Sequence, residues 1–328
     1  MAPNLTLKGH FGATLKAVRK IRVKNQSMFP NKRVLSKSLK AACILGILAG
    51  FQNLLWAVPA EKVLIVKHPE PGVRRLEPRN HYFLELVSLA LTKAGVAFEF
   101  QEGRKGDNRA FQNIRRLNAG LYDVSWMHTD AYKEQMLTPI RIPMFKGMIG
   151  WRVMLVSEFR AEELAKVRTK EQLATFTAGL VKGWPDVPIM EAAGFPVHST
   201  EVASDIPLLV KQNRVDIFPR AINEVWDELP NYLMDGVVLD QSIALYYPSA
   251  TYLFVAKKNK ALASLLEQGL NKAIDDGSFD ELFNKHFGEA LKKANLDKRH
   301  IIRIDNPNLP SATPLKDSRL WIGDMLNL

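Results

Sequence analysis

The feature that most constrains this chain is an alternation of short apolar runs with amphipathic segments that stops, restarts and stops again. Val63 to Val66 is a continuous apolar run followed by the loop His68-Pro69-Glu70-Pro71-Gly72. A run of that kind reads as a strand buried on both faces. Phe83, Leu86, Val87, Ala90 and Leu91 then recur at helical spacing, and Gly95 marks the helix end. Residues 96–100 read as a second strand, 108–120 as a second helix closed by glycine, and 122–127 as a third strand. A short helix is expected from Thr129 or Asp130. Strand, helix, strand, helix, strand is the pattern of a parallel sheet covered by helices.

Residues 140–156 break the pattern, because Pro143, Gly147 and Gly150 exclude a helix, and the stretch is read as extended. The alternation restarts with a helix over 160–176, a strand at 177–183, a helix at 186–194 and a strand at 197–202. A helix at 206–215, a strand at 216–221 and a helix at 222–229 complete this second set. Residues 237–248 and 251–259 are again extended, and two long helices span 261–277 and 278–295. The Pro- and Asn-rich tail keeps Leu309, Leu315, Leu320, Trp321 and Ile322, so it is expected to wrap onto a lobe. Two extended segments around a compact middle mean that 61–156 plus 245–328 form one lobe and 157–244 an inserted second lobe. The expected class is α/β, with two parallel-type sheets joined by two hinge strands. The cleft of such a fold places strand C-termini and helix N-termini around a ligand.

A formal charge of +11 would ordinarily suggest a nucleic-acid or membrane partner. Its distribution removes that reading. Ten of the 45 Lys and Arg residues fall in residues 1–60, which contain none of the 34 Asp and Glu, so the remainder is nearly neutral. No nucleic-acid partner is expected. Residues 41–60 are apolar apart from Gln52 and Asn53 and end on Val58 and Ala60. A positive flank, a short apolar core and a small-residue exit make a secretory signal cleaved before Glu61. The apolar core before Gln52 is about eleven residues, short against the roughly 20 that span a bilayer. Met28 is a second candidate start that gives a signal of ordinary length. The mature chain is then expected in the periplasm of a Gram-negative bacterium, touching the membrane only through the transient signal. Cys43, the single cysteine, lies inside the leader. Its loss leaves no disulfide and no thiol-based metal or nucleophilic site.

Several ordered segments carry a family likeness: LNAGLYDVSWM (117–127), TPIRIPMFKGMIGWRVMLV (138–156), VKQNRVDIF (210–218) and DDGSFDELFNKHFG (275–288). In this order the chain resembles the extracytoplasmic solute-binding proteins of family 3, which feed amino-acid ABC transporters. The resemblance spans about 230 residues, Val63 to Asn295, and implies a type II periplasmic binding protein. It further implies a monomer that offers a small ligand to an ABC permease or a membrane sensor. Family members that bind free amino acids carry Thr-x-x-Arg after the third strand, whose Arg clamps the ligand carboxylate. Counted from Thr129, that Arg position here is Tyr132, with Ala131 beside it. They also place an Asp for the ligand ammonium shortly after the Val-Asp strand start. Here that stretch is Phe218-Pro219-Arg220-Ala221, a cation in place of an anion. A free α-amino acid is therefore not the expected ligand.

Arg220 is the leading candidate for gripping a carboxylate, since a guanidinium offers a planar bidentate fork; Phe218-Pro219 stiffens its approach. Its alternative is a salt bridge. Trp126, His128, Thr129 and Tyr132 lie where the third strand empties into the cleft and suit a small polar solute. Trp126 has a core role as its alternative. Gly183 and Trp184, next to Lys182, stand before a helix N-terminus, where backbone N–H groups can approach an anion. His68 ends the first strand and is placed in the same cleft. Arg152 reads as a structural ion pair. The seven histidines show no metal-ligand spacing, and no cofactor or metal is expected. No GxSxG, GxGxxG, P-loop or HExxH occurs, which disfavours an enzyme. The expected role is capture of a small polar, carboxylate-bearing solute for an ABC-type importer. The alternatives are a dehydratase-like enzyme of the same fold and a sensing module without transport.

Overall fold

The computed structural model describes residues 63–69, 77–103 and 110–325; the leader and Met28 lie outside the described residues. β1 (Leu64–His68) is followed by α1 (Glu77–Ala94) and β2 (Phe98–Glu102). α1 buries Tyr82, Phe83, Leu86, Val87, Ala90 and Leu91, a stripe with three- and four-residue spacing. It stops where Gly95 takes a φ of 75°, a conformation that costs glycine little. α2 (Ala110–Asn118), β3 (Ser125–His128), α3 (Ala131–Met136) and β4 (Leu137–Ile140) come next.

The stretch read as extended from 140 is not extended throughout. Lys146 (φ 45°) and Gly147 (φ 73°) turn the chain, a single 3₁₀ turn covers Met148–Gly150, and only then does β5 (Trp151–Ser157) begin. The next helix is also broken, into α4 (Glu158–Leu164) and α5 (Lys170–Leu173), because Thr169 and Gln172 form a capping box that starts a new helix. β6 (Ala178–Val181), α6 (Asp186–Ala192), β7 (Val197–Thr200), α7 (Ile206–Lys211), β8 (Ile217–Ala221) and α8 (Val225–Tyr232) follow the alternation. Residues 237–248 divide into β9 (Val237–Leu239) and β10 (Ile243–Tyr246). The break is local chemistry: the Asp240 carboxylate accepts the backbone N–H groups of Ser242 and Ile243, which no straight strand permits. β11 (Thr251–Ala256), α9 (Lys260–Asp275), α10 (Ser278–Ala294) and β12 (His300–Arg303) complete the order.

These strands form three sheets, of two, three and seven strands, which group into two bodies. One contains β1 parallel to β2, and β11 running antiparallel between β3 and β4. The Asp123 and Val124 amides donate to the Lys67 carbonyl, which brings β1 alongside the approach to β3. The larger sheet has the order β12-β10-β5-β8-β6-β7, with β9 also paired to β5. Pairs linked by helices (β6 with β7 and β8, β10 with β12) are parallel, whereas β5, which enters from the other body, is antiparallel to its neighbours. The chain crosses between the bodies at Gly150 and Tyr247, whose backbones are joined by a hydrogen bond of 3.1 Å. A Cβ on Gly150 would overlap the Tyr247 carbonyl, so only glycine fits there. α1 packs on α9 just as closely, with Gly269 against the Ala90 backbone.

The tail does wrap. β12 extends the larger sheet, while Trp321 covers Gly147 and donates its indole N–H to the Pro314 carbonyl at 2.9 Å. Among the described residues no helix is long and apolar enough to cross a membrane.

Candidate binding cleft

The candidate site forms where β3 ends opposite the β6–α6 turn. A cavity of about 270 Å³ is bordered on one side by Asn80, Asn113, Trp126, His128 and Lys133, and on the other by Gly183 and Pro185. The Trp126 indole N–H donates to Asn80 Oδ1 at 3.3 Å. Because an indole can only donate, this bond fixes the Asn80 amide with its Nδ2 turned away from Trp126. Asn80 Nδ2, Asn113 Oδ1 and Ser125 Oγ are buried and make no hydrogen bond among the described residues, and all three residues line the cavity. Such groups are rare in folded proteins, since each costs roughly 1–3 kcal/mol when left unpaired.

Lys133 borders the cavity, although sequence counting did not single it out. Helix α3 is capped by Asp130, whose carboxylate accepts the Lys133 N–H at 2.7 Å and also pairs with Lys133 Nζ. Counted from the true cap, the family's three-residue step lands on Lys133, not on Tyr132. Tyr132 is 51% exposed, whereas Lys133 is 9% exposed and borders the cavity. The signal was present, because Asp is a stronger N-cap than Thr. Thr129 instead donates to Glu134 at 2.7 Å and lies in the outer crevice beside Tyr132.

Arg220 is buried, and its guanidinium is already held. Nε and Nη2 form a fork on the Glu228 carboxylate at 2.7 and 2.8 Å, and Nη2 also reaches Glu224 at 2.9 Å. Its Cζ sits 4.6 Å from the centre of the Trp184 ring. Burial works against the Arg220 charge, but Glu224 and Glu228 outweigh it and hold its pKa above the ordinary value. Arg79 joins the same cluster from α1 through Glu224. Burial pushes the Glu224 carboxyl up, yet Arg79, Arg220 and Arg152 together bring it down to about 2. The salt-bridge alternative for Arg220 is thus what the geometry shows. Arg152 also pairs, with Asp186 at 2.5 Å, as its apolar flanks suggested.

The remaining candidates divide. His128 borders the cavity, and burial pulls its pKa to about 4, so the ring is neutral near pH 7. Its Nδ1 is 3.3 Å from Thr251 Oγ1. Gly183 (φ 82°) turns the chain at the cavity wall, but the first turn of α6 is occupied by its own acid, Asp186, which pairs with Arg152 and Tyr247. No anion site remains at that helix end. Phe218 is fully buried and stacks on Trp184 with centroids 6.5 Å apart, a core role. His68 packs edge-on against Phe100 and bonds to the Pro69 carbonyl at 2.9 Å; Pro69, not His68, borders the cavity. Among the described residues no cluster of metal-ligating side chains occurs.

The class of protein that this architecture defines is the two-lobe type II periplasmic binding fold. The VFT2 domain of Bordetella pertussis BvgS, as a double mutant, matches with a TM-score of 0.50 and 17% identity, covering 68% of this chain and 92% of that one. An ancestral arginine-binding protein bound to arginine matches at 17% identity with a TM-score of 0.47, covering 68% of this chain and 98% of that one. A Salmonella typhimurium periplasmic binding protein with high arginine specificity matches at 13% identity with a TM-score of 0.46, covering 68% and 99%. No family model matches the chain, and no curated protein does.

Proposed function

We propose that this chain is an exported solute-binding protein that captures a small polar, carboxylate-bearing solute between its two lobes. The observation that carries the reading is the cavity between β3 and the β6–α6 turn, with unpartnered polar atoms of Asn80, Asn113 and Ser125 at its wall and Lys133 at its border. Lys133 Nζ has three donors, of which Asp130 takes one, so a ligand carboxylate can share the ammonium. Arg220, tied to Glu228 and Glu224, does not enter this role. The bodies of sheet correspond to lobes that hinge at Gly150 and Tyr247. Solute contacts made to both lobes at once would shift the hinge equilibrium towards the closed form, because only contacts better in that state can do so.

The closed protein would be read in the periplasm by a membrane permease or by a sensor. A thermal-shift screen of the purified full chain against organic acids, amides and amino acids tests the reading, with Lys133→Met alongside. Stabilisation by carboxylates that disappears in Lys133→Met supports it. No shift by any carboxylate, or an equal shift in the variant, would sink it. No catalytic group is assigned, and turnover of a stabilising acid during the assay would point to an enzyme instead.

A further inference from the structure

Lys133 keeps donors for a carboxylate, but the charges around the cleft are otherwise spent on one another. Arg79 and Arg220 hold Glu224, Arg220 holds Glu228, Arg152 holds Asp186, and Lys133 holds Asp130. An incoming ammonium would therefore meet only carboxylates already held by an arginine or by Lys133. The unpaired groups at the cavity wall are of another kind. Asn80 Nδ2 can only donate, in the orientation that Trp126 fixes; Asn113 Oδ1 can only accept; Ser125 Oγ can do either. His128 beside them is uncharged near pH 7.

From this set we infer that the solute is a small monocarboxylate whose other end is a carboxamide, with no ammonium group. The inference rests on the binding role proposed above and names the solute class of that same cavity. A carboxamide oxygen can accept from Asn80 and its NH₂ can donate to Asn113, so one ligand end carries a partner for each orphan group. A second carboxylate would serve Asn80 but set lone pairs against Asn113 Oδ1. An ammonium would serve Asn113 but face the Asn80 donor. A site built to hydrogen-bond a ligand group rejects analogues that leave its buried polar atoms unpaired. The cavity of about 270 Å³ suits a molecule of this small size.

Isothermal titration of the full chain with succinamate, asparagine, succinate and propanoate decides the matter. Succinamate is expected to bind at least about tenfold more tightly than each of the others. Asn113→Leu is expected to abolish the preference for succinamate over propanoate. Binding of asparagine or succinate as tight as that of succinamate overturns the inference. So does equal binding of all four acids, although the carboxylate-binding role would then stand. If none of the four binds, the role itself fails. Should Asn113→Leu not fold, the comparison of the four acids on the unaltered chain is sufficient.

Discussion

Arg79, near the start of α1, donates to Glu224, which follows β8, so the helix that covers the smaller sheets is fastened to the larger sheet by a charge pair. Glu224 also accepts from Arg220 on the strand itself, which makes it the shared anion of two buried guanidinium groups.

Removing that anion leaves Arg79 enclosed without a counter-charge. Glu224→Gln is expected to cost about 3 kcal/mol, at the low end for a broken buried pair because the carboxylate is 14% exposed. The double variant Arg79→Leu, Glu224→Leu should recover much of the loss, since it removes charge and partner together. Urea denaturation of the three proteins measures both effects.

Stability should fall on acidification because of His128. Its folded pKa of about 4 lies below the usual 6.5, so between these values the unfolded chain binds a proton that the folded chain refuses. The contribution is fully present above about pH 6.5 and is lost towards pH 4, at most about 3 kcal/mol in all. Below pH 4.5, Glu224, held at about 2, adds a second loss in the same direction. His128→Asn should flatten the upper part of a stability-against-pH curve measured in urea. An unchanged slope would contradict the enclosed, neutral ring.

Gly150 is expected to tolerate no side chain. A Cβ would meet the Tyr247 carbonyl and the Ser249 amide, backbone atoms that cannot swing aside. Gly150→Ala should therefore cost about 2 kcal/mol or more, as overpacking of a fixed site does. Thermal unfolding of this variant beside Gly183→Ala makes the comparison sharp. The second glycine has only its φ to lose, with nothing within reach of a Cβ.

The tail contributes to stability through Trp321, which is 8% exposed over Gly147. Trp321→Ala is expected to cost about 3 kcal/mol, the lower range for loss of a buried indole. Solute binding at the β3 cavity should survive it, because Trp321 does not line the cavity and packs instead on Gly147 and the Pro314 carbonyl. Titration of the variant with any acid that stabilises the parent chain checks this.

Most of the architecture was legible in the sequence because its information is periodic. The Phe83-to-Leu91 stripe, the glycine stops at 95, 120 and 194, and the strands at 178 and 217 all follow from local spacing and turn chemistry. The places where reading by pattern failed are places where one side chain bonds the backbone. Asp240 splits an extended run, Thr169 splits a helix, and Asp130, one of the two expected caps, shifts the count from Thr129 by one residue, to Lys133.

What the sequence determined by itself was the order of most elements and the charge segregation that sets residues 1–60 apart, since these depend on neighbours along the chain. What only the tertiary structure decided was which charges are free. Arg220 looked available because Glu228 is eight residues away along the chain, on the next helix, and because Arg79, which shares Glu224, lies 145 residues from that carboxylate. Electrostatic pairing is set by distance through space and by exclusion of water, and neither quantity is written in sequence order.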